Sequence, residues 1–366
     1  MQIQSWSRRR FLAAFGLGVA AAGLSVACSQ PSGQSGGLVG PGAPPGGSPA
    51  SLIGPTVLPT VVASPTPGKL LIVLDGNFQI FDLSTLSAKV ISHFPKGVFA
   101  ASPSASPDRK QVAFTYYVIP ADQKDLGGSD VYTMDASGGN VKMVHSHGDP
   151  GATFEDPCWS ADGQSILATR RSPIYNQGQY AGETLAILEA GLDGSEPTIL
   201  IKNALEAAAS PDGKHLIYTA VDDKGQPAGL FRADVDGSNP TALLASAGFG
   251  YIHAPHFSPD STLITFAAVG GPAGGLPTPK VGWLPPGVDI AEAHGIPWDI
   301  WTVRPDGSGL KRLTYESEDT PTPVWSPDGK WVAFAGEIGL YLVDANGKQT
   351  VRFSTLVSGG GIAWLA

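Results

Sequence analysis

Trp325-Ser326-Pro327-Asp328-Gly329-Lys330 decides the fold, because the phrase recurs along the chain. It appears as Ala105-Ser106-Pro107-Asp108, Trp159-Ser160-Ala161-Asp162-Gly163, Ala209-Ser210-Pro211-Asp212-Gly213 and Phe257-Ser258-Pro259-Asp260. Ile362-Ala363-Trp364 reads as the start of one more copy. A phrase returning at this period marks one supersecondary unit copied around an array.

Each copy has the same grammar. Pro103, Pro157, Pro255 and Pro323 precede an apolar position, then comes a Ser-Pro-Asp-Gly turn. There Pro presets φ and Gly accepts positive φ. A β-rich run follows, such as Val112-Ala113-Phe114 or Val332-Ala333-Phe334. After a variable loop comes a third run, such as Val131-Tyr132-Thr133-Met134 or Leu340-Tyr341-Leu342-Val343, then a second turn such as Asp236-Gly237 or Asn346-Gly347. A fourth run closes the unit, as in Val141-Lys142-Met143-Val144. Four short strands joined by tight turns predict one antiparallel sheet, and its radial repetition predicts an all-β propeller.

The ends of the repeat region complement each other. Leu70–Val73, Phe78–Phe81 and Lys89–Ile91 supply three strands with no copy of the phrase before them, and Gly361-Ile362-Ala363-Trp364 supplies a first strand with none after it. Joining them gives six four-stranded blades and covers edges that an open sheet exposes. The Trp-Ser-Pro-Asp-Gly-Lys phrase resembles the repeat of the TolB-like propeller family over about residues 68–366. The resemblance implies the fold and says little about activity. TolB itself carries a small α/β domain before its propeller; a linker stands there in this chain, so the resemblance does not extend to a role in the Tol machinery.

The front of the chain reads as an export signal over residues 1–27. Ser7-Arg8-Arg9-Arg10-Phe11-Leu12 resembles a twin-arginine signal, with Arg8 and Arg9 as the pair, and a Gly- and Ala-rich apolar stretch runs up to Ala27. Cys28 stands where a lipoprotein signal is cut, and its thiol is the expected lipid attachment point. Ordinary cleavage after Ser25-Val26-Ala27 is the alternative. Residues 28–67 read as a Gly/Pro/Ser-rich tether, with no charged residue from Pro31 to Pro67. At about 3.1 Å per residue this tether would reach on the order of 100 Å when fully extended as polyproline. The expectation is an exported, lipid-anchored monomer on the outer face of the cytoplasmic membrane or in the envelope.

The chain of 366 residues has a formal net charge of −9 and no basic stripe, which argues against nucleic acid as a partner. Its second cysteine, Cys158, sits beside Trp159 in a first-strand run and reads as an inert buried thiol.

Propeller topology places the Ser-Pro-Asp-Gly and Asp-Gly turns on one face and the variable loops on the other, where binding is expected. On or beside that variable face fall His93, His145, His147, His253, His256 and His294, the carboxylates Glu155, Asp156, Glu206, Asp289, Glu292, Glu316, Glu318 and Asp319, and the aromatics Tyr175, Tyr251, Trp283 and Trp298. Between Phe266 and Ile300 lies the longest insertion, read as a contact arm carrying Trp283 and Trp298. Arg170-Arg171 begins a second insertion running to Asn176; these arginines either meet an acidic ligand or pair with nearby carboxylates. The repeat region carries no Gly-x-Ser-x-Gly, His-Glu-x-x-His or phosphate-loop motif.

The expected role is a non-enzymatic binding or scaffold module for an envelope protein, peptide or glycan, with no cofactor. The alternative is a metal-dependent hydrolase or lyase acting on a sugar-like substrate at the channel mouth. Imidazole and carboxylate suit a divalent cation there, but no spacing picks out a ligand set.

Overall fold

The computed structural model describes residues 62–120, 126–222, 225–245, 248–272, 298–316, 318, 320–336, 339–356 and 358–366. Among these there is no helix, and the strands form five sheets; four have four antiparallel strands, and the fifth has eight, two antiparallel four-stranded sets joined by a single parallel pairing of Ser129 with Thr153, so that six four-stranded units can be distinguished. In the first, β1 (Lys69–Leu74), β2 (Asn77–Asp82) and β3 (Ser87–Val90) are joined by the last strand, β24 (Ile362–Trp364). The second holds β4 (Val98–Ala105), β5 (Gln111–Val118), β6 (Ser129–Asp135) and β7 (Lys142–His145). In the third are β8 (Thr153–Trp159), β9 (Ser165–Asn176), β10 (Gln179–Gly191) and β11 (Thr198–Lys202). β12 (Ala204–Ala209), β13 (His215–Val221), β14 (Pro227–Asp234) and β15 (Thr241–Ala245) make the fourth. The fifth comprises β16 (Phe249–Phe257), β17 (Ile264–Gly270), β18 (Trp298–Val303) and β19 (Lys311–Arg312), and the sixth β20 (Thr322–Trp325), β21 (Trp331–Ala335), β22 (Leu340–Asp344) and β23 (Thr350–Ser354).

The repeated phrase makes the first turn of each unit, and its side chains do the work locally. Ser326 Oγ donates to Asp328 Oδ1 at 2.7 Å and accepts from the Trp331 amide at 2.9 Å, while Asp328 Oδ1 also accepts from the Lys330 amide. Ser106, Ser160, Ser210 and Ser258 repeat the bond to the Asp two residues on, and each also accepts from the amide five residues on. The residue after the Asp takes a left-handed φ: 69° at Gly163, 71° at Gly213 and 67° at Gly329. Where the phrase lacks Gly, the geometry persists, with φ of 59° at Arg109 and 60° at Ser261. Ser261→Gly is therefore expected to stabilise the fold by about 0.5–1 kcal/mol, the left-handed penalty of a side chain less the greater unfolded entropy of glycine. An unchanged or lower denaturation midpoint would contradict this.

Adjacent units pack face to face, so middle strands are buried on both sides. Every residue of β18 is buried, whereas β3, a fourth strand, is exposed throughout. The core is divided accordingly. Leu71, Val73 and Phe78 pack on Val112, Phe114 and Met134, joining the first unit to the second. Further clusters join the second to the third through Val131 and Phe154, the third to the fourth through Ile187 and Leu216, and the fourth to the fifth through Ile217 and Phe266. Ala267 and Phe334 belong to the cluster between the fifth and sixth, and Leu70, Ile72 and Phe81 pack on Val324, Leu342 and Phe353 from the sixth. First strands also touch in succession: β4 with β8, β8 with β12, β12 with β16, β16 with β20, β20 with β24, and β24 with β4.

Candidate functional site: a cavity among the first strands

Where the first strands meet there is a cavity of about 160 Å³. Its lining combines titratable groups, Asp156, Glu206, His253 and His256, with small or uncharged ones, Ser102, Thr320, Thr322 and Gly359–Gly361.

A repeated backbone distortion shapes this wall. Ser102, Asp156, Glu206 and Ala254 each stand four residues before the repeat Ser, and all four are left-handed, with φ of 50°, 48°, 55° and 49°. Gly361 stands one strand end further along the same pattern, at φ 94°. At the four non-glycine sites the register between first and second strands slips, over Ala101/Ser104, Glu155/Cys158, Leu205/Ala208 and His253/His256. A bulge of this kind re-aims side chains and frees amides from the ladder. The freed amides reach toward the preceding unit. The Ser102 amide donates to Gly360 O at 2.6 Å, that of Glu206 to Thr169 Oγ1 at 2.8 Å, and that of Ala254 to Glu206 Oε2 at 2.8 Å. Left-handed non-glycine residues cost about 1–3 kcal/mol each and persist where the surroundings over-determine them.

The titratable groups are pushed in opposite directions. Burial works against the charge of Glu206, but the His253 ring 2.6 Å from Oε1 and the Ala254 amide outweigh it and hold the pKa below the ordinary carboxylate range. Asp156 goes the other way. Burial, then the nearby Glu206 and Glu155, raise it from 3.8 to about 7, against the pull of His253 and a 3.1 Å hydrogen bond from Ser102 Oγ. Burial lowers the pKa of His256, and its Nδ1 lies 3.1 Å from Ala254 O. The neutral ring thus donates from Nδ1 and keeps Nε2 as an acceptor. Burial pushes the Cys158 thiol up, in keeping with an inert role, though the residue lines the cavity.

A stability consequence follows for Asp156. The folded state holds a proton that the unfolded chain has released, so stability falls as pH rises from 3.8 to about 7 and levels off above that. Asp156→Asn is expected to remove this decline and to be the more stable form at pH 8. Glu206, with its lowered pKa, acts only below the ordinary carboxylate range, in the opposite sense. Denaturant midpoints of the two chains that stay parallel from pH 5 to pH 8 would contradict the assignment.

The cavity candidates sit on strands, and the others are placed elsewhere. His253 and His256 lie within β16, Asp156 and Glu155 within β8, and Glu206 within β12, on strands and not on the variable loops. His147 Nδ1 pairs with Asp130 at 2.6 Å, and His145, whose pKa burial lowers, packs edge-on against Phe154. Arg170 pairs with Asp149 and donates to His147 O, and Arg171 pairs with Glu155 and Glu183. The stretch Arg170–Asn176 continues β9, hairpinned onto β10 with one register shift between Tyr180 and Gly182. Trp298 is buried, with its ring 6.1 Å from that of His253, and its amide donates to Glu318 O at 3.1 Å. Arg8, Arg9, Cys28, Trp283, His294 and Asp319 lie outside the described residues. Among the described residues no three His, Cys, Asp or Glu side chains are placed to hold a metal ion.

No protein-family model matches the sequence. Among solved structures, TolB from Acinetobacter baumannii aligns with a TM-score of 0.58 at 20% identity, covering 81% of this chain and 66% of that one. A chain of the nidogen/laminin complex aligns with a TM-score of 0.56 at 15% identity, covering 81% and 98%. The putative TolB from Agrobacterium tumefaciens gives 0.50 at 20% identity, covering 72% and 83%. This chain therefore spans just under two thirds of the Acinetobacter protein. At these identities the likeness is one of fold, and the fold is an all-β propeller of the TolB-like kind.

Proposed function

We propose that the chain is an exported, membrane-tethered binding module. Its six units form one closed ring, with β24 completing the first blade, and a protein or peptide partner docks at the channel among the first strands. The observation that carries this reading is the cavity itself, walled by first strands from all six units. Concave sites with a largely apolar lining and a few placed polar groups are the usual form of a ligand site. A chain of like fold occurs in the nidogen/laminin complex, which is a protein assembly. The proposed domain division is a signal over 1–27, a tether over 28–67 and the propeller over 68–366. Lipid attachment at Cys28 would hold the propeller at the membrane's outer face.

Filling the cavity tests the reading. Thr322 lines it, so Thr322→Trp should abolish capture of partners from envelope fractions by the tagged full chain while the thermal midpoint stays near that of the parent. Undiminished capture by the filled, folded variant would overturn the channel as the docking site. Cys28→Ala should release the chain from the membrane fraction, and unchanged partition would sink the lipid anchor.

A further inference from the structure

The charged wall of the cavity presents acceptors. Glu206 is spent, with one oxygen on His253 and the other on the Ala254 amide. Asp156 lines the cavity with a hydroxyl donor from Ser102 on Oδ1. His256 lines it as well, and its Nδ1 bond to Ala254 O fixes the tautomer whose Nε2 accepts. A carboxylate and an imidazole acceptor thus face one small space, with Glu155 on the strand of Asp156 and the Glu206–His253 pair on the neighbouring strands. A ligand that satisfies this wall must bring several N–H donors and a positive charge. The rest of the lining includes Gly359–Gly361 and Thr322, which are small and uncharged and leave room for the stem that carries the head.

We infer that the channel binds a single organic cation, a guanidinium or primary ammonium head, with the Asp156 carboxylate as its counter-charge. Planar guanidinium suits a carboxylate best, since its N–H groups form paired hydrogen bonds. Among the described residues no three side chains could hold a metal ion there, which separates this site from a divalent-cation site. The inference rests on the channel being the binding site and adds what it selects: a cationic side chain or amine terminus of the partner. Binding requires the ionised carboxylate. A proton bound to Asp156 at lower pH is therefore released on binding, and affinity rises with pH until the carboxylate is fully ionised.

Titration calorimetry of the full chain with propylguanidinium, and with neutral propylurea as its isostere, tests this. The expected result is saturable one-to-one binding that tightens at least 10-fold from pH 5.5 to pH 8.5, with proton release seen across buffers of different ionisation enthalpy. Propylurea should bind at least 10-fold more weakly at pH 8.5. Asp156→Asn should weaken propylguanidinium at least 10-fold and flatten the pH dependence. Thr322→Lys places a tethered ammonium in the cavity and should block the site, which decides the matter if Asp156→Asn does not fold. Equal binding by propylurea, full binding by folded Asp156→Asn or by Thr322→Lys, tighter binding of calcium or manganese at the same site, or no saturation at pH 8.5 would each overturn the inference. If propylguanidinium fails while partner capture still depends on an open channel, the cation inference falls and the binding module stands. Capture that is indifferent to the channel, with propylguanidinium bound, gives the reverse.

Discussion

Replacing Arg312 by leucine is expected to lower folding stability by about 3–5 kcal/mol, because it strands a buried carboxylate. Arg312 pairs with Asp299, and the two side chains are 8% and 5% exposed. The pair is embedded in further bonds: Arg312 Nε donates to Thr314 O at 2.9 Å, Thr314 Oγ1 donates to Asp299 Oδ1 at 3.0 Å, and the Ile300 amide donates to Thr314 Oγ1. The guanidinium also lies 4.2 Å from the Tyr315 ring centre. Removing one charge leaves the other desolvated, whereas removing both with Asp299→Leu in addition should recover much of the loss. The same segment leads to Glu318, whose carbonyl accepts from Trp298, and to Thr320 on the cavity wall. Partner capture should therefore fall with stability in the single variant. A denaturation midpoint within the error of the parent would contradict this account of the fifth unit.

Deleting residues 362–366 should have the larger effect on the whole domain. β24 pairs with β1 through Leu70↔Trp364, Leu71↔Ala363 and Ile72↔Ile362. Trp364 is 5% exposed, packed with Leu70, Ile72, Val324 and Phe353, and its Nε1 donates to Ala366 O at 3.0 Å. Loss of a buried Trp side chain alone costs about 3–5 kcal/mol. The deletion also bares the edge of β1, a template for pairing between chains. The truncated chain is expected to lose its cooperative unfolding transition and to aggregate, and the point variant Trp364→Ala to unfold at a much lower denaturant concentration. Unchanged hydrogen-exchange protection of Leu70–Val73 in the truncated chain would contradict closure by β24.

The units were legible because their information is local. Ser, Asp and the residue after them satisfy one another within five positions, so each copy announces its own turn, even where Arg109 and Ser261 replace Gly. Pairing of Ile362–Trp364 with Leu70–Ile72 was legible as well, since each end lacked what the other supplied. The site was legible only in part. Asp156, Glu206, His253 and His256 stand out as polar residues near the repeat, yet strand alternation alone does not aim them into a shared space. That aim comes from the left-handed residue four before the repeat Ser, and Ala254 shows that residue type does not reveal it. Aligning the copies on that Ser would have singled out Ser102 and Thr322 together with Asp156 and Glu206. His145, His147 and Arg170 look the same in sequence, but His147 pairs with Asp130, Arg170 with Asp149, and His145 packs on Phe154, all outside the cavity.

Photocrosslinking tests the central claim most directly. A benzoylphenylalanine placed at Thr322, on the cavity wall, should crosslink the chain to a partner in intact envelopes. The same group at Asn346, in the turn after β22 on the opposite face, should not. Crosslinks from Asn346 with none from Thr322 would contradict a channel-centred binding module.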